Sequence, residues 1–356
     1  MADLPEATGV AVDLYGCPNR CRHCYLGNGP NNRLTPDDLK RVAEAFWDWK
    51  RQSDKISYFK QVFVSSSYRE PDFSDDYQKL YELERELSRC EPRRYELLSV
   101  RRLAGDPGYA LWAKEHGPQV CQITFFGMEG ITDDFFRRRG AFKDNLAATE
   151  RLLQVGMIPR WQIILTKPGM KDLSEVLSMV EQMRLSKRTA ELGAEFTIFC
   201  HPPGPVGEAW NLESQRIDED DAANIPEPLA NETVKHFGEG SDWKTEAEWV
   251  EQAESGEAFP REHPGELWFL VNSEYDVFSN YGDMTDGWKL GNFQRDDLDA
   301  ILAAFESDRP TAMRVMADIT DAELASRFGR RNSRAIYSGG DVRDRWVRLL
   351  VNLLQR

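Results

Sequence analysis

Three of the six cysteines in this 356-residue chain, Cys17, Cys21 and Cys24, fall within the stretch "GCPNRCRHC". Thiolates are soft ligands that suit zinc or iron–sulfur clusters. Structural zinc takes four ligands, usually as two pairs, and the sequence has no second pair; His23, on a tight loop between two ligand positions, is the candidate fourth. A cubane [4Fe–4S] cluster has four irons, and C-x3-C-x2-C reaches three of them. The fourth iron is then open to a non-protein ligand. The other cysteines, Cys90, Cys121 and Cys200, are far apart and unpatterned, and read as free thiols.

Positioning such a loop takes a regular scaffold. Six short segments rich in β-branched and aromatic residues read as strands: "TGVAVDLY", "QVFVSSS", "YELLSV", "QVCQITFF", "IPRWQIIL" and "EFTIFC". Helical stretches lie between them. "TPDDLKRVAEAFWDWK" has Thr35 to cap, Pro36 for the first turn and Asp38 at the capping-box offset. "SDDYQKLYELERELSR", "AFKDNLAATERLLQVG" and "DLSEVLSMVEQMR" carry apolar residues at three-to-four spacing. Strands that each lead to a helix predict parallel pairing with right-handed crossovers. Six units fall short of a closed eight-unit barrel, so the expected fold is α/β: a partial (β/α)6 parallel barrel over residues 5–205. The cysteine loop follows the first strand, at the carboxyl end where such sheets bind ligands.

Beyond residue 205 the texture changes. Residues 206–265 form an acidic, punctuated connecting segment, and 266–356 read as a smaller α+β C-terminal cap. "ELWFLVNSEYDVFSN" predicts a hairpin turning at "NSE"; in "DVRDRWVRLLVNLLQR", Val342, Trp346, Leu349 and Leu353 define an apolar face expected to pack as core.

Apolar residues make up 41% of the chain, enough for a sizeable core, and the net charge is −15. That acidity argues against a nucleic-acid partner, which demands a concentrated basic surface. The start, "MADLPEATG", has no secretory-signal pattern, and no stretch of about 18 apolar residues offers a membrane span. The expected location is cytoplasmic.

With those residues in view, "CPNRCRHC" resembles the radical S-adenosylmethionine (AdoMet) superfamily signature C-x3-C-x-Φ-C, with His23 in the usually aromatic place. The resemblance implies one [4Fe–4S] cluster on Cys17, Cys21 and Cys24, with AdoMet chelating the unique iron. It further implies an external flavodoxin- or ferredoxin-type electron donor, and hydrogen abstraction by a 5′-deoxyadenosyl radical. The family's G-G-E-P-like stretch after the second strand, which holds the methionine amino group, corresponds to "YREP": Glu70 and Pro71 match, while Tyr68 and Arg69 replace the glycines. At Phe126, Gly127, Met128 and Glu129 the family's usual serine and aspartate are missing, so those contacts do not carry over. "YDVFSNYGDMTDGWKLGNF" resembles the SPASM/twitch extension of these enzymes, with Asn280 where an auxiliary-cluster cysteine stands. With no cysteine beyond Cys200, no auxiliary cluster is expected.

Cys200 and His201 end the sixth predicted strand. Cys200 reads either as a hydrogen-atom donor to a carbon radical or as a buried apolar thiol; His201 reads as a general base or an ordinary hydrogen-bonded histidine. Arg101, Arg102 and Lys167 follow strands on the reactive side and are candidate anion ligands. The expected activity is radical AdoMet chemistry on a small polar natural-product intermediate, such as a sugar, aminocyclitol or amino-acid derivative, with epimerisation, dehydration or dehydrogenation as the outcome. Modification of a ribosomally made peptide is the alternative within the family; a non-catalytic metal-binding scaffold is the alternative outside it.

Overall fold

The computed structural model describes residues 4–50, 54–238, 243–257, 259 and 265–356. Parts of the connecting segment (239–242, 258 and 260–264), residues 51–53 and the first three residues of the amino-terminal reading lie outside them. Among the described residues ten strands run in chain order: β1 Ala7–Val12, β2 Gln61–Ser65, β3 Val120–Phe125, β4 Ile158–Ile164, β5 Thr197–His201, β6 Lys244–Thr245, β7 Trp268–Val271, β8 Asp276–Ser279, β9 Gly291–Asn292 and β10 Ile336–Tyr337. They form sheets β2-β1-β7-β8-β9 and β3-β4-β5 and the pair β10-β6. The β1–β2, β3–β4 and β4–β5 pairs are all parallel, with helices in the crossovers, so the expected α/β partial barrel is present.

Two differences from expectation have local causes. Residues 95–100 form no strand: only one ladder-like bond is made there, from Gln122 N to Glu96 O (2.8 Å). Ser99, itself still extended, accepts from Arg102 N (3.3 Å) and caps the helix Val100–Gly105, so the chain turns helical at Val100. Five parallel strands therefore stand where six were expected. The second difference concerns the hairpin. It turns at residues 272–275 as predicted, but β7 also pairs in parallel with β1, so the hairpin continues the sheet that carries the cysteine loop. Gly9 permits this pairing, since a Cβ there would lie 2.1 Å from the Trp268 indole.

β3 alternates strictly, and β4 and β5 follow the same two faces, with Ile164 and Phe199 buried on the second. Cys121, Ile123 and Phe125, Trp161 and Ile163, and Ile198 and Cys200 join one apolar core beneath the helices. Gln122 and Thr124, Arg160 and Gln162, and His201 take the opposite phase and face the barrel interior. In the last helix, Gly339–Leu354, Val342 and Trp346 are buried as expected. Leu349 is only half-buried and Leu353 is 55% exposed; Leu350 and Val351 are in the core instead, so the buried arc is rotated toward Arg343, Val347 and Val351. No helix among the described residues is long and apolar enough to cross a membrane.

The helix Pro36–Asp48, which packs beside β1 and β2, begins with the predicted capping box: Thr35 accepts from Asp38 N and Asp38 accepts from Thr35 N. Thr35→Ala is expected to lower stability by about 1 kcal/mol in urea unfolding, without changing the far-ultraviolet spectrum of the folded protein.

Candidate functional site: the cysteine loop

Between β1 and the helix Pro36–Asp48 the chain runs through residues 13–35 with no strand or helix, and Cys17, Cys21 and Cys24 all lie in this loop, partly buried. Its far side is anchored by Arg22 N donating to Phe135 O (2.8 Å) and Arg20 N to Phe136 O (3.3 Å). Glu208 N donates to Cys24 O (2.8 Å). Next to it Gly207, at φ +55°, lets the chain approach so closely that a Cβ would lie 2.3 Å from Cys24 O.

Burial pushes all three thiols up. Cys17 rises beyond the ordinary thiol range through burial and then the Glu70 charge; Cys21 is pushed up to about 12 by burial and the Cys24 charge; Cys24 rises through burial, with Arg69 opposing. Left alone these sulfurs hold their protons, and a bound cationic centre is what would release them. Among the described residues no three or more His, Cys, Asp or Glu side chains converge on a single ion position, which does not suit a mononuclear zinc site. Three thiols from one loop with an open fourth position suit a cubane cluster instead.

Glu70 is brought directly to this loop. Its Oε1 accepts from Ser99 Oγ (2.7 Å), and the Cys17 thiol points at Oε2 from 3.9 Å. Burial pushes its carboxyl up to about 7, against the lowering effects of the Ser99 bond and the Arg138 charge. The neighbouring residues divide. Tyr68 packs on the apolar interior cluster of Ala11, Trp268, Leu270 and Phe278, and burial raises its hydroxyl pKa. Pro71 lies in the turn that follows. Arg69, expected as a cofactor ligand, is committed elsewhere: it pairs with Asp13 and donates to the carbonyls of Gly29 and Pro30. His23 packs edge-on against Phe126 with ring centroids 4.6 Å apart, and burial, with a smaller His201 contribution, lowers its pKa to about 3. Its imidazole is neutral, and Nδ1 is buried with no hydrogen-bond partner.

The two expected catalytic residues part company. Cys200 is 0% exposed; its amide donates to Thr233 Oγ1 (3.0 Å) and its sulfur lies 3.3 Å from the same oxygen, on the helix Glu227–Phe237. It faces the helix layer rather than the barrel interior, because a strand turns alternate side chains to opposite faces. His201 faces inward. Its Nδ1 lies 2.8 Å from Pro202 O, to which it must donate, leaving Nε2 to accept from the Gln162 amide. Burial lowers its pKa, so it is neutral.

Gln162 in turn accepts from Gln122 Nε2 (2.5 Å) and Thr124 Oγ1 (3.1 Å). Arg160 donates to Gln122 Oε1 (3.1 Å) and pairs with Glu96 (2.5 Å). A polar ladder thus crosses the barrel interior from Glu96 to His201. It was visible in the sequence only as polar residues at alternate positions of "CQITF" and "RWQII". The candidate anion ligands are elsewhere: Arg101 is exposed, Arg102 clamps the carbonyls of Asp72, Phe73 and Ser74, and Lys167 pairs with Asp218 (2.8 Å).

The sequence matches no model of a known family and no curated protein. Solved structures do match. Native anSMEcpe with bound AdoMet aligns over 98% of this chain and 99% of its own, at a TM-score of 0.53 and 12% identity. With the Cp18Cys peptide also bound, it aligns over the same shares at 0.54 and 13%; with the Kp18Cys peptide the values are 0.51 and 12%. The chain therefore has the fold of the radical AdoMet enzymes, as the cysteine signature implied.

Glu70 supplies a test of the site's electrostatics in the iron-free protein. Its folded pKa of about 7 exceeds the unfolded value, so its ionisation opposes folding above pH 7 and has no effect well below the unfolded pKa. Glu70→Gln should stabilise the iron-free protein by about 2–3 kcal/mol at pH 8, measured by urea unfolding. The gain should shrink as pH falls through 7 and vanish near pH 4.

Proposed function

We propose that this protein is a radical AdoMet enzyme. In this reading Cys17, Cys21 and Cys24 hold three irons of one [4Fe–4S] cluster, and Glu70 holds the amino group of AdoMet at the fourth. The observation that carries it is the placement of three thiols and a carboxylate together at the carboxyl end of β1, within this fold. When bound, cluster and AdoMet supply one-electron cleavage of the sulfonium and a 5′-deoxyadenosyl radical able to abstract hydrogen. The chain's own residues bind, orient and shield. Tyr68 and the cluster of Trp268, Leu270 and Phe278 line the interior with apolar surface that excludes water. His201, held neutral with Nδ1–H on Pro202 O, fixes the Gln162 amide and presents no free base.

The polar ladder Gln122–Gln162–His201 supports a small polar substrate, with epimerisation, dehydration or dehydrogenation as the outcome. A second reading, modification of a peptide, is favoured by the likeness over 98% of this chain to anSMEcpe with the Cp18Cys peptide bound. We read residues 266–356 as a twitch-like cap, an external flavodoxin or ferredoxin as electron donor, and the cytoplasm as the setting.

Anaerobic reconstitution should load about four irons per chain, and a strong reductant should then release 5′-deoxyadenosine from AdoMet. Replacing any one of Cys17, Cys21 or Cys24 by Ala should abolish that release; tight zinc binding, or about eight irons, would overturn the single-cluster reading. Because Cys200 packs in the core, Cys200→Ala should cost about 1–2 kcal/mol in thermal unfolding. It should leave incorporation of solvent deuterium into product unchanged.

A further inference from the structure

Arg69 stands where the resembling family has glycine, and its side chain is almost wholly enclosed: 7% exposed, against 1% for its partner Asp13. Its guanidinium is spent on four groups. Nε donates to Asp13 Oδ2, Nη1 to Gly29 O (3.0 Å) and Nη2 to Pro30 O (2.9 Å), while Nη2 also reaches Asn31 Oδ1 at 3.5 Å. Asn31 grips the first cysteine in both directions. Cys17 N donates to Asn31 Oδ1 (3.2 Å), and Asn31 Nδ2 donates to Cys17 O (2.9 Å). At the other end, Asp13 follows β1 directly and its amide donates to Val271 O of β7 (3.0 Å). A continuous path of hydrogen bonds therefore runs from the β1–β7 sheet through Asp13, Arg69 and Asn31 to the backbone of Cys17.

Gly16 fits the same path. It sits at φ +84°, and a Cβ there would lie 1.9 Å from Asn31 Oδ1 and 2.8 Å from Arg69 Nη2. Only glycine admits both the backbone angle and the approach. The chemistry needs arginine as specifically: a carboxylate and two carbonyls in different directions call for a planar fork of donors, which a lysine ammonium on a flexible stem does not present. The loop has no regular secondary structure of its own, so its conformation depends on such ties.

We propose that Arg69 is a positioning residue for the cysteine loop: neutralised by Asp13, it clasps residues 29–31 and, through Asn31, fixes Cys17 as an iron ligand. The clasp stands on the geometry of the chain alone, whereas its consequence for iron rests on the cluster reading above.

Arg69→Ala would strand the buried Asp13 carboxylate and endanger the fold. Two gentler variants carry the test. Arg69→Lys keeps the charge and loses the fork; Asn31→Ala keeps the Arg69–Asp13 pair and cuts the path beyond it. Arg343→Lys is the control, the same change at a buried pair with Asp321 in the C-terminal core (side chains 3% and 9% exposed). Three readouts are compared: hydrogen exchange of residues 14–33 in the iron-free protein, the rate at which bathophenanthroline strips iron from the reconstituted protein, and the paramagnetic resonance spectrum of the reduced cluster. Both loop variants should speed exchange in 14–33 and raise the stripping rate by about tenfold or more, with an altered spectrum. Arg343→Lys should lower the melting temperature and change none of the three. Iron stripped at the wild-type rate from both loop variants, or changes in the control that match theirs, would overturn the assignment. If the wild-type protein takes up no iron, the proposed function fails, and the exchange measurement still decides whether the clasp exists.

Discussion

Three thiols of one loop and the Glu70 carboxylate brought against them are partly out of water, where negative charge on any of them is unfavourable, and much of the surrounding structure answers that constraint. Each thiol is pushed above its ordinary pKa, and Glu70 is raised beside them. Burial is the largest cause of every one of these shifts, so the site disfavours uncompensated negative charge. The imidazoles that the interior presents, His23 and His201, are likewise neutral.

A loop without regular structure does not hold such a site by itself, so rigidity is imported from its neighbours. The β1–β7 sheet supplies one end through Asp13 and Arg69, the 135–136 carbonyls a second, and the close approach of Gly207 and Glu208 to Cys24 a third. These contacts come from parts of the chain tens to hundreds of residues apart. The parallel addition of β7 to β1 makes the C-terminal hairpin a structural wall of the site, since Trp268, Leu270 and Phe278 form its apolar interior lining.

The β3-β4-β5 sheet shows how one period-2 pattern serves two tasks. One phase is apolar and buries the sheet against its helices; the other, which also carries Ile164 and Phe199, strings Glu96, Arg160, Gln122, Gln162 and His201 into a polar ladder across the interior. Shifting a residue by one position moves it between these worlds, and that is what separates Cys200 from His201. Both were candidates because they end the same strand, and the pleat assigned them opposite faces.

The cysteine triad, the capping box at Thr35 and the parallel strand–helix alternation were legible in the sequence because each is a local signal: a spacing, a cap, a period. The third expected strand failed because residues 95–98 make only one ladder-like bond, to Gln122, and the Ser99 cap starts a helix at Val100. The last helix kept Val342 and Trp346 in the core but rotated the rest of its buried arc to Leu350 and Val351, because the elements packed against it, and not its period, decide which side is covered. The partners of Arg69 were hidden for a different reason. Its position after β2 correctly placed it near the site, but the partners that consume its guanidinium lie 38 to 56 residues away. By itself the sequence determined which atoms were offered for chemistry. Which of them face the interior, which are neutralised, and which merely hold the others in place was decided by tertiary structure, because burial and hydrogen bonding between distant segments set both the charge and the direction of every side chain involved.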